Sequence, residues 1–413
     1  MNLKFHRPPV SVNDHSRKGP LFPDIGVLAL VPEKWGGPWQ PRHYVLTRLA
    51  AYFNVVWVGP AQGWREAWLG RTTEVSEKDL NNDLPPQALT LYQPSIWLPK
   101  FYRPTVLDSI TTRRRLQQAR NILLRQGCRR IVLYLWRPEF ESALDMIPHD
   151  VSCYHIDDEY SFSPVEQLLD EREVRLIKRV TQVFIHSPAL LEKKGHLNSR
   201  TLFVPNGVDY AAYARPYDEP TDLRDIPHPR IGYVGNIKAQ LDFSLLLSLA
   251  ERHPEWSFVL VGGMSDLGRQ ASLVEKFSRM PNVHFLGFKP VASLPAYTKY
   301  FDVCIMPYMV NGYTKFIFPL KLHEYLASGC PVVGVPIPSL LGFTHVIRLA
   351  RTVEEWSCAL ADSLSSSNKG PASARQARLC VAREYDWNKL IHTIAQNMRD
   401  LAYRQQIESQ HTA

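Results

Sequence analysis

The sequence predicts an α/β protein in which two parallel-sheet domains face one cleft. Short apolar runs alternate with amphipathic helices along most of the 413-residue chain, a pattern typical of parallel sheets covered on both faces. Residues 210–229, rich in Pro and Asp and without periodicity, interrupt this alternation and predict a linker. Because such sheets bind ligands beyond the carboxyl ends of their strands, we expect the functional site between the domains.

The apolar runs define the expected elements in chain order. Residues 1–22 are polar and basic and predict a flexible arm. The first domain, residues 23–209, has expected strands at 25–31, 55–58, 89–92, 131–135, 151–155, 183–186 and 202–204. The second domain, residues 230–384, has expected strands at 231–234, 258–261, 283–286, 303–306 and 332–335. A last helix, from near Trp387 to about Arg404, lies in residues 385–413.

Composition narrows the class of protein. The chain is 45% hydrophobic, as packed globular domains are, and it has no apolar run long enough to predict a membrane-spanning helix. The first twenty residues lack the apolar stretch of a secretory signal. The six cysteines are far apart, with no spacing typical of a metal site. We therefore expect a cytoplasmic protein that binds no metal.

Residues 318–334 say most about function. They predict a short helix with Pro319 in its first turn and Gly329 at its C-cap, followed by a buried strand. Lys321 and Glu324 are three residues apart and therefore share a helix face. A lysine beside the free N–H groups of a helix start suits a diphosphate, and the carboxylate can accept sugar or ribose hydroxyls. The alternative interpretation is a surface ion pair.

Other segments occur in a fixed order around this helix. The chain opens with a strand, a Gly-Gly pair and a helix that ends in Leu-Ala. The segments that follow are 203–209 (FVPNGVD), 231–236 (IGYVGN), 258–263 (FVLVGG), 283–288 (VHFLGF) and 301–308 (FDVCIMPY). Together they resemble the glycosyltransferases of the GT-B fold, especially family 4, which builds bacterial polysaccharides and glycolipids, with members of the teichuronic-acid type.

The resemblance implies two Rossmann-like domains that face a cleft, with the last helix packed back on the first domain. It implies a hexosyltransferase that moves a sugar from a nucleoside diphosphate, with UDP favoured, to a hydroxyl of a lipid-linked or polysaccharide acceptor. Such an enzyme would act in exopolysaccharide or cell-surface glycan synthesis. It would need no cofactor, since the nucleotide sugar is its substrate.

The chain departs from the family pattern at three charged positions. The family arginine and lysine of the first turn in the second domain are replaced by Asn236 and Leu241, and Lys238 lies between them. The first glutamate of the family pair is replaced by Phe316, whereas Glu324 matches the second. These differences indicate a divergent branch, and both retention and inversion of the sugar configuration stay open.

Candidate residues of the first domain follow its strands. Three carboxylates, from Asp157 to Glu159, follow one strand, and Asp157 is the expected acceptor-side base, with helix capping as the alternative. Gly36 and Gly37 would let the backbone approach a phosphate or sugar, or would form a plain turn. Two tryptophans beside the glycines would stack on an acceptor sugar or pack in the core. A histidine in the next helix would bind the acceptor or act as an alternative base. These residues are Trp35, Trp39 and His43.

In the second domain, the expected phosphate contacts are the Gly235-Asn236 turn and Lys238, together with the helix start at Pro319 and Lys321. Phe288 would stack on the base, or would be a core residue.

A basic amphipathic helix accounts for much of the net charge of +8. Its arginines are Arg113, Arg114, Arg115, Arg120, Arg125, Arg129 and Arg130. Such a helix would bind the anionic inner face of a membrane peripherally, or would only present a solvated face. No nucleic-acid-binding motif is present, so that class of partner is not expected. A sugar-nucleotide epimerase of the same fold and a non-catalytic nucleotide-binding relative are the rival functions.

Overall fold

The computed structural model describes residues 19–36, 39–65, 85–160, 169–365 and 372–411. Most of the expected N-terminal arm and Gly37 lie outside the described residues. Leu21 and Phe22, which we assigned to the arm, donate backbone hydrogen bonds to Ala51 and Tyr52. They therefore belong with the first domain.

The first sheet has seven parallel strands in the order β3-β2-β1-β4-β5-β6-β7. The strands are β1 (Ile25–Leu30), β2 (Asn54–Val58), β3 (Leu89–Tyr92), β4 (Arg130–Leu135), β5 (Val151–Ile156), β6 (Gln182–Ile185) and β7 (Thr201–Phe203). The helices described in this part of the chain are α1 (Pro41–Leu49), α2 (Thr105–Arg125), α3 (Ala143–Met146), α4 (Glu171–Arg179) and α5 (Pro188–Lys194). The strand order reverses between β1 and β4, which is where such sheets open a crevice for ligands.

The second sheet has six parallel strands in the order β10-β9-β8-β11-β12-β13. They are β8 (Arg230–Val234), β9 (Ser257–Val261), β10 (Val283–Phe285), β11 (Val303–Met306), β12 (Val332–Gly334) and β13 (Arg348–Leu349). The helices are α6 (Tyr210–Ala214), α7 (Phe243–Arg252), α8 (Ala271–Ser278), α9 (Leu294–Lys299), α10 (Leu320–Ser328), α11 (Pro338–Leu341), α12 (Val353–Ser365), α13 (Ala372–Glu384) and α14 (Trp387–His411). The corresponding crevice lies between β8 and β11.

All the expected strands form, and each begins and ends within one residue of its predicted bounds. The short edge strand β13 was missed because two residues carry no periodic signal. The expected linker is more ordered than its composition indicated: it contains α6, and its Leu223 and Ile226 are buried in the core of the second domain. Residues 210–229 are therefore packed on that domain and are not a free spacer.

The last helix, α14, lies on the first domain. It contacts α1, β4 and β5, and its apolar residues join the core formed by one face of the first sheet. The ring of Trp387 at its start stacks on Tyr44 of α1, with centroids 5.6 Å apart. Among the described residues, no helix is both long and apolar enough to cross a bilayer.

His323 of α10 is an unusual core residue. It is completely buried, its ring stacks on Tyr385 at 3.9 Å, and neither ring nitrogen has a hydrogen-bond partner among the described residues. Burial lowers the pKa of His323 from 6.5 to about 3. The imidazole is thus held neutral, and its two polar atoms bring a desolvation cost without a compensating bond.

We expect His323→Phe to stabilise the protein by about 1 kcal/mol at neutral pH, because it removes the unpaired polar atoms and keeps a stacked ring. The unfolded wild-type chain gains a proton on His323 below its ordinary pKa of 6.5, whereas the folded chain does not gain it until about 3. The advantage of phenylalanine should therefore grow on acidification, by up to about 1.4 kcal/mol per pH unit, as urea unfolding at about pH 7.5 and about pH 5.5 would measure. The control is His253→Phe, which removes an imidazole whose Nε2 lies 3.0 Å from Ser357 Oγ. A variant at His323 less stable than wild type at both pH values would contradict the expectation.

Candidate active site

Helix α10 brings the second domain's charged residues to the cleft. Pro319 is the N-cap residue of α10, directly before the helix. The sequence predicts Pro319 in the first turn, one residue further along the helix. Gly329 ends the helix in the left-handed conformation, with φ of 77°, as predicted. Lys321, in the first turn of α10, reaches Gly235 in the turn that follows β8.

Gly235 and Lys321 are in direct contact. A Cβ atom on Gly235 would lie 2.1 Å from Cε and 2.4 Å from Nζ of Lys321, and Gly235 has a φ of 141°. Gly262 is equally restricted, because a Cβ there would lie 2.0 Å from the Gly235 carbonyl oxygen. The two glycines keep this turn free of side chains, and the lysine fills the space that they leave.

Lys238 and Lys321 line the same cleft. Burial, and then the charge of Lys321, lowers the pKa of Lys238, so the two ammonium groups repel each other. Asn236, between Gly235 and Lys238, is exposed, and its backbone carbonyl accepts a hydrogen bond from the Tyr233 hydroxyl at 3.1 Å. Two lysines beside a helix start form a local positive field that an anion would relieve.

Glu324 lies one turn along α10 from Lys321 and lines the same cleft. Burial raises the pKa of its carboxyl, while the charge of Lys321 and a hydrogen bond with the Tyr213 side chain act in the opposite direction. Tyr213 belongs to α6 in the expected linker, so this segment positions a side chain of the site.

Phe288 follows β10 at the rim of the cleft. Its side chain is 51% exposed, so it is not a core residue, and its Cβ lies 4.0 Å from the position of a Cβ on Gly263. The ring is therefore available to a flat ligand group.

The cleft between the domains has a volume of about 350 Å³, and its lining includes Gly235, Asn236, Lys238, Phe288, Lys321 and Glu324 from the second domain. The first domain contributes Trp39, Gln40 and Tyr44. A larger cavity of about 740 Å³ adjoins it and shares Trp39, Tyr44 and Glu324 with it. Trp35 lines only the larger cavity.

Asp157 follows β5 but is already engaged. Its side chain is 4% exposed, and its two carboxylate oxygens accept hydrogen bonds from Arg42 and Tyr160. Arg42 also binds Glu33. Both carboxylate oxygens of Asp157 therefore already have protein partners, and its side chain caps none of the described helices.

Asp158, the neighbouring carboxylate, accepts the backbone N–H of Glu159 on its Oδ1 at 2.8 Å, and it is not among the residues that line either cavity. Burial, and then the charge of Asp157, raises the pKa of Asp158 to about 6, against the opposing charges of Arg137 and Lys238. Lys238 belongs to the second domain, so charges of both domains act on Asp158. A carboxylate with a pKa near neutrality suits proton transfer.

Glu159, the third carboxylate, anchors the loop. Its Oε1 lies 3.1 Å from Nζ of Lys194, which also lies 2.8 Å from both Oε atoms of Glu173. All three side chains are buried. This ion cluster fixes the chain directly after Asp158.

His43 is in an aromatic cluster and lines neither cavity. It is buried against Trp35, Trp39 and Trp57, and its Nδ1 accepts a hydrogen bond from the Gln40 backbone at 3.1 Å. Burial, and then Arg42, lowers the pKa of His43 to about 4. The geometry thus gives no support to a role as acceptor ligand or base. The neighbouring Gly36 has a φ of 104°, as a glycine turn requires.

Within the described residues, no group of three or more His, Cys, Asp or Glu side chains could hold a metal ion.

Solved structures resemble the whole arrangement of two sheets and a cleft. The Anabaena protein Alr3699/HepE, in complex with UDP-glucose, superposes with a TM-score of 0.60 and 16% identity over 91% of this chain and 99% of that one. An α,α-trehalose-phosphate synthase (UDP-forming) from Burkholderia vietnamiensis gives a TM-score of 0.62 and 14% identity over 92% of this chain and 98% of that one. This chain has the GT-B fold. The fold predicted from the ordered motifs is therefore confirmed.

Sequence comparisons agree with the GT-B assignment. Residues 228–365 match the family model described as glycosyl transferases group 1. The putative teichuronic acid biosynthesis glycosyltransferase TuaH of Bacillus subtilis is 30% identical over 240 residues. That alignment covers 55% of this chain and 59% of the relative, so the chain matches about three-fifths of the length of this curated protein.

Sequence reasoning missed two residues near the candidate site. Arg137 lies two residues after the end of β4, and the rule that ligands bind beyond strand ends could have found it. Its guanidinium lies 4.4 Å from the ring centroid of Tyr160, and its charge acts on Asp158. Tyr313 lines the cleft, and burial, followed by the charge of Asp158, raises the pKa of its hydroxyl. No local pattern marks Tyr313, because it lies in an irregular loop.

Phe316 stands at the position of the first family glutamate. It is buried within a core cluster of the first domain, and Nζ of Lys193 lies 4.9 Å from its ring centroid. In this GT-B chain, residue 316 therefore holds the two domains together and offers no carboxylate to the cleft.

Proposed function

We propose that the protein is a glycosyltransferase that moves a sugar from a nucleoside diphosphate, with UDP favoured, to a hydroxyl of a glycan or lipid-linked acceptor. The observation that carries this proposal is the contact of Lys321 with the glycine-only turn at Gly235. With Lys238 beside it and the start of α10 behind it, this contact makes a compact site for a diphosphate. Glu324, one turn away, would accept ribose or sugar hydroxyls, and Phe288 would stack on the base.

The donor side is supported by the relatives. The Anabaena neighbour was solved with UDP-glucose, and the Burkholderia neighbour is described as UDP-forming. The two lysines would compensate for the missing charges at Asn236 and Leu241, since a diphosphate needs nearby cations of any origin.

On the acceptor side, the proposed chemistry is a single displacement. The acceptor oxygen forms a bond to the anomeric carbon, the bond from that carbon to the diphosphate oxygen breaks, and the diphosphate leaves with the electron pair. Lys321, Lys238 and the helix start stabilise the negative charge that develops on the leaving group. Asp158 would accept the hydroxyl proton, taking the role that we first expected of Asp157.

The pathway is proposed from the curated relative. Its description as a teichuronic acid biosynthesis glycosyltransferase supports synthesis of an exopolysaccharide or another cell-surface glycan, at the cytoplasmic side of the membrane. Trp39 and Trp35, which line the adjoining cavity, are the proposed platforms for the acceptor sugar.

A nucleotide screen tests the proposed function. UDP should raise the melting temperature of the protein, and UMP should do so much less, because a monophosphate cannot reach both lysines. Incubation with UDP-sugars should then release UDP. An epimerase would convert the donor sugar without releasing UDP, and a binding protein would leave the donor unchanged. If no nucleoside diphosphate shifts the melting temperature, the proposed donor site is wrong.

A further inference from the structure

One corner of the first domain exposes an unusual number of large apolar side chains. The corner comprises the loop between β3 and α2, the first two turns of α2, and the neighbouring residue 64; we name it the β3–α2 corner. Its exposed apolar residues are Trp64, Ile96, Trp97, Tyr102, Val106, Leu107 and Ile110. The other seven large exposed apolar residues within the described parts of the chain lie elsewhere in the two domains: Leu21, Leu124, Met264, Phe288, Met309, Val310 and Leu341. So many exposed apolar side chains on neighbouring segments mark a candidate interaction surface.

These side chains are held outwards by an ordered backbone. Arg115, buried under the loop, donates to the carbonyl oxygens of Leu98 and Pro99 at 2.8 and 2.9 Å. Trp64 and Lys100 are joined by a backbone hydrogen bond of 3.0 Å. Trp97 is nonetheless 84% exposed. The exposure is therefore built into the fold.

Positive charge predominates in the segment of chain that forms most of the corner. Residues 85–138 contain ten Lys or Arg residues and a single acidic residue, Asp108. The carboxylate of Asp108 has a partner within the corner, because it accepts a hydrogen bond from the backbone N–H of Phe101 at 3.0 Å. Lys100, Arg103 and Arg113 are exposed around the apolar residues, and so is Arg114.

Several arginines in or beside α2 are engaged by the protein itself. Arg115 is buried, and Arg120 and Arg113 donate to the carbonyl oxygens of Pro148 and Met146. Arg130 pairs with Asp24. Arg114, Arg125 and Arg129 are exposed, and so are Lys100 and Arg103 of the loop before α2, beside the apolar residues.

We propose that the β3–α2 corner docks on the surface of an anionic lipid bilayer. Trp and Tyr rings favour the boundary between headgroups and acyl chains, and lysine and arginine at the rim attract anionic headgroups. A second copy of this chain is a poorer occupant, because a twofold interface would place the same positive rim against itself.

The position of the corner fits a membrane-bound acceptor. The loop follows the carboxyl end of β3, and the carboxyl ends of all seven parallel strands lie at one edge of the sheet. Trp39 and Asp158 follow β1 and β5 at that same edge. Docking through the corner would therefore turn the mouth of the cleft towards the bilayer, although the docking itself does not depend on the proposed activity.

Co-sedimentation with lipid vesicles tests the proposal on the full chain. The protein should bind vesicles of phosphatidylcholine with phosphatidylglycerol and not vesicles of phosphatidylcholine alone. Binding should weaken as NaCl rises from about 0.1 M to about 0.5 M, because salt screens the headgroup attraction. The double variant Ile96→Ser/Trp97→Ser should bind about tenfold or more weakly, since two large side chains no longer enter the interface.

The matched control is Leu341→Ser, which removes a side chain that is 53% exposed on the second domain and should leave vesicle binding unchanged. The altered residues are exposed, so all variants should fold, as their melting curves would show. Absence of vesicle binding, equal binding to both vesicle types, or unchanged binding of the double variant would each overturn the proposal. A concentration-dependent dimer in sedimentation that the double variant abolishes would assign the corner to self-association instead.

Discussion

Lys321→Ala should lower the rate of sugar transfer by about 10²–10³-fold while the melting temperature stays close to that of wild type. The ammonium group fills the space left by Gly235 at the start of α10, so it can bind a diphosphate directly. Its contribution should grow as the bond to the leaving group breaks and negative charge develops on the diphosphate. The loss should therefore be larger in kcat/KM than in the affinity for UDP, as steady-state kinetics and calorimetric titration would measure.

Lys276→Ala is the control for this experiment. Lys276 is an exposed lysine on α8, and it does not line the cleft. This control tests whether the loss of any single positive charge from the second domain is enough to lower the rate of sugar transfer. Full activity of the Lys321→Ala variant would show that the donor does not bind at the start of α10.

Asp158→Asn should lower transfer by about 10²–10⁴-fold and leave the affinity for UDP nearly unchanged, because the carboxylate acts on the acceptor and not on the nucleotide. With a pKa of about 6, Asp158 is ionised above that pH, and wild-type activity should rise through it as pH increases. The variant should lack this rise. It should also melt no lower than wild type, since a carboxyl with a raised pKa is destabilising when it is charged in the folded protein.

Asp157→Asn provides the comparison. It leaves the buried Arg42 without one of its carboxylate partners, so we expect a destabilisation of about 3–5 kcal/mol in urea unfolding. A variant at Asp157 that loses transfer but melts normally, beside a fully active Asp158→Asn, would return the base role to Asp157. The configuration of the product sugar would then distinguish inversion by a protein base from retention assisted by the leaving phosphate.

The choice between these two carboxylates shows where the sequence is insufficient. The sequence places both carboxylates after β5 but does not tell which groups engage them. Asp157 binds Arg42 and Tyr160, whereas Asp158 accepts the backbone N–H of Glu159. Asp157 is engaged by Arg42, a residue 115 positions away. Such pairing depends on how the strands are ordered, and no local pattern encodes it. The surroundings of His43 are hidden from the sequence for the same reason, because the aromatic residues that enclose it include Trp57 of another strand.

Short-range sequence patterns predicted the structural features that depend only on residues close together in the chain. The apolar runs predicted the strands, because parallel strands are buried on both faces and tolerate few polar residues. The three-residue spacing of Lys321 and Glu324 placed them correctly on one face of α10. In contrast, the apolar residues between Ile96 and Ile110 gave no sign in the sequence that they would be exposed. Hydrophobicity alone does not distinguish a core from an interaction surface.

The path of the last helix has a consequence for the order in which the chain can fold. The second domain's core is built from one continuous stretch, Val208 to Ala382. One face of the first sheet, by contrast, is covered by Trp387, Ile391, Ile394 and Met398 of α14. During synthesis, the domain that emerges first therefore cannot complete its core until residues 387–398 have left the ribosome. The later domain has all its core residues before that point, so the N-terminal half waits longest with apolar surface uncovered.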